Sequence, residues 1–177
     1  MALVEDGGVE GTKMFSIGGR SFTRQVAESL GVDFDTAEKY KLDFDSGKLD
    51  DRIKAKVETA LSRKLSVWLT GIEVAIEDFN NVSSLPRNIL LCGGGASLSL
   101  VQEKLAISDW YKGLAFSRRP VIHLIDTAEL PNLIIGDHTL DHSFATALGL
   151  LRVGMDTLAA APEEHKLKAK IAKLLQN

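Results

Sequence analysis

The sequence predicts an α/β fold. The apolar run at residues 88–92 has the length of a buried strand, three consecutive glycines follow at 93–95, and apolar residues at helical spacing continue over 98–105. A buried strand, a glycine loop and a helix in this order are typical of α/β proteins that bind nucleotides. A second apolar run, 121–125, follows a proline and predicts another strand.

The composition excludes several other classes of protein. The 177 residues are 45% hydrophobic and carry a formal net charge of −3, which excludes a largely disordered chain and argues against a nucleic-acid binder. A lone cysteine, Cys92, excludes a disulfide framework. No apolar run reaches the roughly 18 residues of a membrane span, and no signal peptide is visible at the N-terminus. We therefore expect a cytoplasmic globular protein.

The first predicted element is a β-hairpin over residues 2–17. Turn-forming residues at 6–8 separate its two strands, and Gly18 and Gly19 end the second strand. A strand precedes this glycine pair and a helix follows it, as at residues 93–95. On the residues alone, the pair is a turn or a hinge between subdomains.

Two short helices come next. Ser21 is the predicted N-cap of the first, which ends at Gly31. The second begins near Asp33 or Asp35 and leads into an acidic loop at 43–51.

The longest periodic segment covers residues 49–79. Its apolar residues recur at a spacing of three and four, which predicts an amphipathic helix of about eight turns. Gly71 leaves a second interpretation open, in which two helices meet at a bend.

The C-terminal part predicts two further helices. Asp141 or His142 opens the first, which ends near Gly154, and residues 162–175 form the last. His138 and His142 stand four residues apart with an aspartate beside each, a spacing that can bind zinc on a helix. Asp141 also suits a helix N-cap, and we consider that interpretation the better one. No metal site is predicted.

Five stretches, taken together and in order, resemble the actin-like ATPases. They are residues 17–23 (IGGRSFT), 27–31 (AESLG), 37–41 (AEKYK), 89–95 (ILLCGGG) and 144–149 (FATALG). The set is most similar to the group of the cell-division protein FtsA and the pilus-assembly protein PilM. Each motif alone is weak, and the ordered set covers about residues 2–153.

The resemblance implies the second, C-terminal lobe of an actin-like, ribonuclease H-like fold. That lobe is a mixed sheet with flanking helices, here residues 1–19 and 85–155, into which a mostly α subdomain, residues 20–84, is inserted. Residues 156–177 form a helical tail. The phosphate loops of the family, of the form DxGxxxT, are not in this sequence. The resemblance therefore implies that ATP or ADP binds with magnesium only in a complete two-lobed protein, and that this chain alone is not hydrolytic.

The resemblance also implies a set of ligand-contacting residues, with no catalytic residue among them. They are Gly18, Gly19, Glu38, Lys41, Gly93, Gly94, Gly95 and Ser97. Glu38 and Lys41 match the family's AExxK motif beside the ribose, and on the residues alone they fit an exposed i,i+3 ion pair. The glycines match loops that approach adenosine, and on the residues alone they fit tight turns. Cys92 is expected to be a small buried apolar residue.

Partners follow from the same resemblance. They are the first lobe of the same protein, further copies in a filament, and a membrane surface at the inner face of the cell membrane, contacted by the basic amphipathic helix near residues 163–175. No nucleic-acid partner is expected. The alternative is a non-enzymatic scaffold derived from the actin-like fold.

Overall fold

A computed structural model describes residues 1–79, 82–125 and 140–158. The strands are β1 Ala2–Glu5, β2 Gly8–Thr12, β3 Asn88–Leu91 and β4 Val121–Leu124. The helices are α1 Gly19–Leu30, α2 Phe34–Asp43, α3 Asp51–Glu77, α4 Ser99–Ile107 and α5, residues 145–158. Short 3-10 turns occupy Gly94–Ser97, Trp110–Gly113 and His142–Phe144.

The hairpin forms where the sequence predicts it. β1 and β2 are antiparallel, and the positive φ angles of Asp6 (49°) and Gly7 (80°) define a type I′ turn between them. β2 ends at Thr12, earlier than the predicted 17, because the chain then turns so that Phe15 packs on α3. A Cβ atom at Gly71 would lie 3.3 Å from the Phe15 ring, so the glycine inside α3 makes room for that ring.

Helix α1 packs against both α2 and α3 and forms the centre of the helical unit. Its residues Phe22 and Val26 are buried, as their spacing predicts. The predicted cap at Ser21 is wrong: the N-cap is Gly18, and the Ser21 N–H donates to the Gly18 carbonyl at 2.8 Å. The helix starts early because the glycine pair turns the chain directly into it.

Helix α2 is capped by Asp33, whose side chain accepts a hydrogen bond from the Thr36 N–H at 2.9 Å. Helix α3 is capped by Asp50 and continues without interruption through Gly71, so the single-helix interpretation is confirmed. Its buried residues follow a spacing of three, four or seven: Val57, Ala60, Leu61, Leu65, Leu69 and Ile76. They form the middle of the hydrophobic core.

Strands β3 and β4 are parallel and in register from Asn88–Val121 to Leu91–Leu124. Helix α4 lies between them in the chain, so the predicted strand, glycine loop, helix and strand are all present. Among the described residues, the strands form two separate two-stranded sheets, whereas the resemblance implies one mixed sheet. The actin-like fold and its division into subdomains therefore remain predictions.

The C-terminal half differs from the sequence predictions at two residues. Cys92 is exposed rather than buried, because it follows the last residue of β3 at the edge of the glycine loop. Gly154 does not end α5, since the helix continues to residue 158, and glycine inside a helix is tolerated at about 1 kcal/mol. The predicted helix at 162–175 and His138 lie outside the described residues. No helix within the described ranges is long and apolar enough to cross a bilayer.

Candidate functional site

An open cleft of about 760 Å³ lies where the start of α1, one face of α2 and the glycine loop after β3 meet. Six of the residues that the resemblance implies line it: Gly19, Glu38, Lys41, Gly94, Gly95 and Ser97. Gly18 and Gly93 are adjacent to lining residues but are not part of the lining. The structure thus brings together three stretches that lie far apart in the sequence.

The two glycine segments contact each other across the cleft. A Cβ atom built on Gly95 would lie 3.7 Å from the backbone nitrogen of Gly19, and one built on Gly19 would lie 3.8 Å from Nζ of Lys41. Glycine at these two positions lets the backbones approach closely and leaves their surfaces bare. A ligand in the cleft would therefore meet main chain rather than side chains there.

Gly93 shapes the loop rather than the cleft surface. Its φ of 86° and ψ of 160° lie in a region that is essentially restricted to glycine. Its N–H donates to the carbonyl of His142 at 2.9 Å, and its carbonyl accepts from the Ala96 N–H at 3.0 Å. Both bonds hold the 3-10 turn that presents Gly94, Gly95 and Ser97 to the cleft.

His142 fixes the far side of the same loop. Its Nε2 lies 2.8 Å from Oγ of Ser97, and it belongs to the turn that leads into α5. Asp141 caps this turn by accepting from the Ser143 N–H, as the sequence predicts; the hydrogen bonds from the Ser143 side chain and backbone lower the pKa of Asp141. No group of three metal-ligating side chains occurs within the described residues, and Asp137 and His138 lie outside them.

Lys41 is not an exposed ion-pair partner. Only 8% of the residue is exposed, and its ammonium lies 2.8 Å from both carboxylate oxygens of Glu38, 3.0 Å from Oγ1 of Thr23 and 3.4 Å from the Gly19 carbonyl. An ammonium has three hydrogens to donate, so these acceptors use its full capacity. Lys41 therefore ties α2 to the start of α1 and has no donor left for a ligand.

Glu38 is the more available member of the pair. Its side chain is 35% exposed, and it accepts from Lys41 and from the hydroxyl of the fully buried Thr23. Partial burial raises the pKa of Glu38, but the hydrogen bonds from Lys41 and Thr23, together with the charges of Lys41 and Arg20, lower it by more, so the net pKa is below the ordinary value. A carboxylate has about four lone-pair directions, and the remaining ones can accept from ligand hydroxyls.

The N-terminus of α4 is already occupied. Asp45 accepts from the Ser99 N–H at 3.0 Å and from the Ser99 hydroxyl at 2.6 Å. The glycine loop leads us to expect free N–H groups at this helix end for a polar or anionic partner, and at Ser99 that expectation is wrong. The carboxylate of Asp45, from the loop after α2, takes the position that an anionic ligand would use.

The mouth of the cleft carries a cation–aromatic pair. The guanidinium of Arg20 lies 5.4 Å from the centre of the Phe34 ring, and both residues line the cleft. A guanidinium in this arrangement is planar and weakly hydrated, so its open face is a surface on which a flat ring can stack.

Sequence reasoning did not select several lining residues, and one signal for them was present. Phe34, Glu38, Lys41, Leu42 and Asp45 all line the cleft. Their spacings of three, four and one place them on one face of α2 and its continuation. Arg20 and Thr23 belong to the stretch 17–23 that carries the resemblance, and their side-chain contacts depend on the packing of α1 on α2.

Comparison of the chain with family models, curated proteins and solved structures gives no significant match.

Proposed function

We propose that this chain is the adenosine-binding lobe of an actin-like ATP-binding protein of bacterial cell division or pilus assembly. The observation that carries the proposal is the convergence of Gly19, Glu38, Lys41, Gly94, Gly95 and Ser97 on one cleft. The resemblance selects these residues as a set, and chance would not place three separate sequence stretches around a single opening. A volume of about 760 Å³ is within the usual range for small-molecule sites.

The chemistry of the cleft suits the sugar and base of a nucleotide. Glu38 offers carboxylate lone pairs to ribose hydroxyls, the bare backbone at Gly94 and Gly95 accommodates a flat ring, and Arg20 offers a stacking face. In the complete two-lobed protein that we propose, ATP or ADP binds together with magnesium. Phosphoryl transfer requires phosphate loops and a metal, and this sequence contains no such loop, so we propose no hydrolysis by the chain alone.

Titration calorimetry with adenosine tests the proposal. We expect saturable binding to the wild-type chain, and at least tenfold weaker binding to Glu38→Gln, which keeps the size of the side chain and loses its charge. Glu28→Gln is the matched control, because Glu28 is exposed on the opposite end of α1 and does not line the cleft. Absence of heat and of a thermal shift at saturating adenosine would refute nucleotide binding by this lobe.

A scaffold is the second candidate, and one surface favours it. Helix α5 exposes the large apolar residues Leu150, Val153 and Leu158, and apolar residues grouped in this way are typical of contact surfaces. This candidate predicts self-association, which sedimentation velocity measures over a range of protein concentrations. Replacement of Val153 by lysine is then expected to shift the sedimentation coefficient towards that of the monomer, whereas a monomer at every concentration contradicts self-association.

A further inference from the structure

The charged side chains that line the cleft balance one another. Among the described residues, Arg20 and Lys41 carry the positive charges, and Glu38 and Asp45 carry the negative charges. The cleft therefore has no net charge near neutral pH, which is unusual for a site that would grip a polyphosphate.

These charges are also engaged within the protein. The Lys41 ammonium is buried and donates to acceptors of α1 and α2, and the Asp45 carboxylate holds the first turn of α4. Arg20 stacks on Phe34 and lowers the pKa of Glu38 through its charge. A phosphate group that entered the cleft would find no unpaired lysine, and it would approach two carboxylates.

The groups that remain available are suited to an uncharged ligand. Glu38 accepts hydrogen bonds from hydroxyl groups, and Leu42, which is 66% exposed, adds apolar surface beside the glycine loop. Such a surface recognises a sugar and a heterocyclic base.

We infer that the cleft recognises the neutral nucleoside part of its ligand and gains no affinity from phosphates or magnesium. This inference rests on the proposed function, because it specifies which part of the nucleotide the proposed site holds. It predicts that ATP, with or without magnesium, binds this chain no more tightly than adenosine does.

Calorimetric titrations with adenosine, AMP, ADP and ATP test the inference. They are run at about 0.01 M and about 0.15 M salt, where charges are screened beyond about 30 Å and about 8 Å respectively. Dissociation constants of ATP that equal or exceed that of adenosine at both salt concentrations support it. ATP binding more than tenfold tighter than adenosine overturns the inference and leaves the proposed function standing. No binding of any of the four ligands overturns both.

Asp45→Asn tests the electrostatic explanation directly. Asparagine keeps an acceptor for the Ser99 N–H and removes the negative charge, so the cleft becomes positive by one unit. We expect the affinity for ATP to rise roughly fivefold to tenfold relative to adenosine at low salt, because one charge then acts on several phosphate charges. Asp6→Asn is the matched control, since Asp6 is exposed in the hairpin turn at a left-handed φ that asparagine also adopts. An unchanged ratio of the two affinities in Asp45→Asn overturns the inference.

Discussion

Replacement of Thr23 by valine tests whether a buried polar network holds α2 against α1. Thr23 is 0% exposed; its Oγ1 accepts from Nζ of Lys41 at 3.0 Å and donates to the Glu38 carboxylate. Valine has nearly the shape of threonine, so the substitution removes these hydrogen bonds and keeps most of the packing. The network contains the two charged residues of the AExxK motif, and its strength bears on the architecture of the cleft.

The expected loss follows from what each partner keeps. A hydrogen bond to a charged group contributes about 1.5–3 kcal/mol. Lys41 retains both oxygens of Glu38 at 2.8 Å, and Glu38 is exposed enough to take a water molecule, so neither charge is left without a partner. We therefore expect the free energy of unfolding to fall by about 2 kcal/mol, as for one charged hydrogen bond. In a chain of this size, that change lowers the melting temperature by about 4–8 °C.

Urea unfolding and thermal melting, both followed by circular dichroism, measure the change. Thr59→Val is the control, because the Thr59 hydroxyl donates to the Ala55 carbonyl on an exposed face of α3. We expect the control to stay within about 0.5 kcal/mol of the wild type. If Thr23→Val unfolds at the same urea concentration as the control, the network does not hold the helices together and the reasoning fails.

Three further predictions concern the glycine loop, the hairpin and pH. Gly93→Ala should destabilise the protein by about 1–3 kcal/mol in urea unfolding, because its φ of 86° and ψ of 160° suit only glycine, whereas Gly94→Ala meets nothing within 4 Å and should be nearly neutral; equal stabilities would contradict this. Gly11→Ala should lower the melting temperature, since its Cβ would lie 2.9 Å from the Phe79 ring, at a cost of about 1–3 kcal/mol, and an unchanged melting temperature would show that the ring moves freely. The folded-state pKa of Glu38 is below 4.5, so the stabilisation by its carboxylate is present above pH 4.5 and is lost as the pH falls through the folded pKa. The difference in unfolding free energy between wild type and Glu38→Gln should therefore shrink on acidification below pH 4.5, and a constant difference would contradict the lowered pKa.

Local chemistry predicted the elements well. The Asp6-Gly7 turn, the cap at Asp33 and the cap at Asp141 each depend on residues within three positions of one another, so the sequence contains the whole interaction. The periodic apolar residues of α3 are equally local, because a helix repeats every 3.6 residues.

The candidate site was predicted only in part, and the reason is distance along the chain. Asp45 and Ser99 lie 54 positions apart, and nothing in either local sequence indicates that the aspartate caps α4. His142 and Ser97 are 45 positions apart. The exposure of Cys92 likewise depends on what the rest of the chain leaves uncovered beside β3.

The sequence by itself determined where strands, helices and glycine loops occur and which residues deserved attention as a set. Local backbone preferences and short-range hydrogen bonds decide those features. Only the tertiary structure decided that Lys41 is buried and fully bonded, that Glu38 remains open, and that Asp45 closes the end of α4. Burial and long-range pairing set the charge that a ligand meets, and both arise only when α1, α2 and the glycine loop pack together.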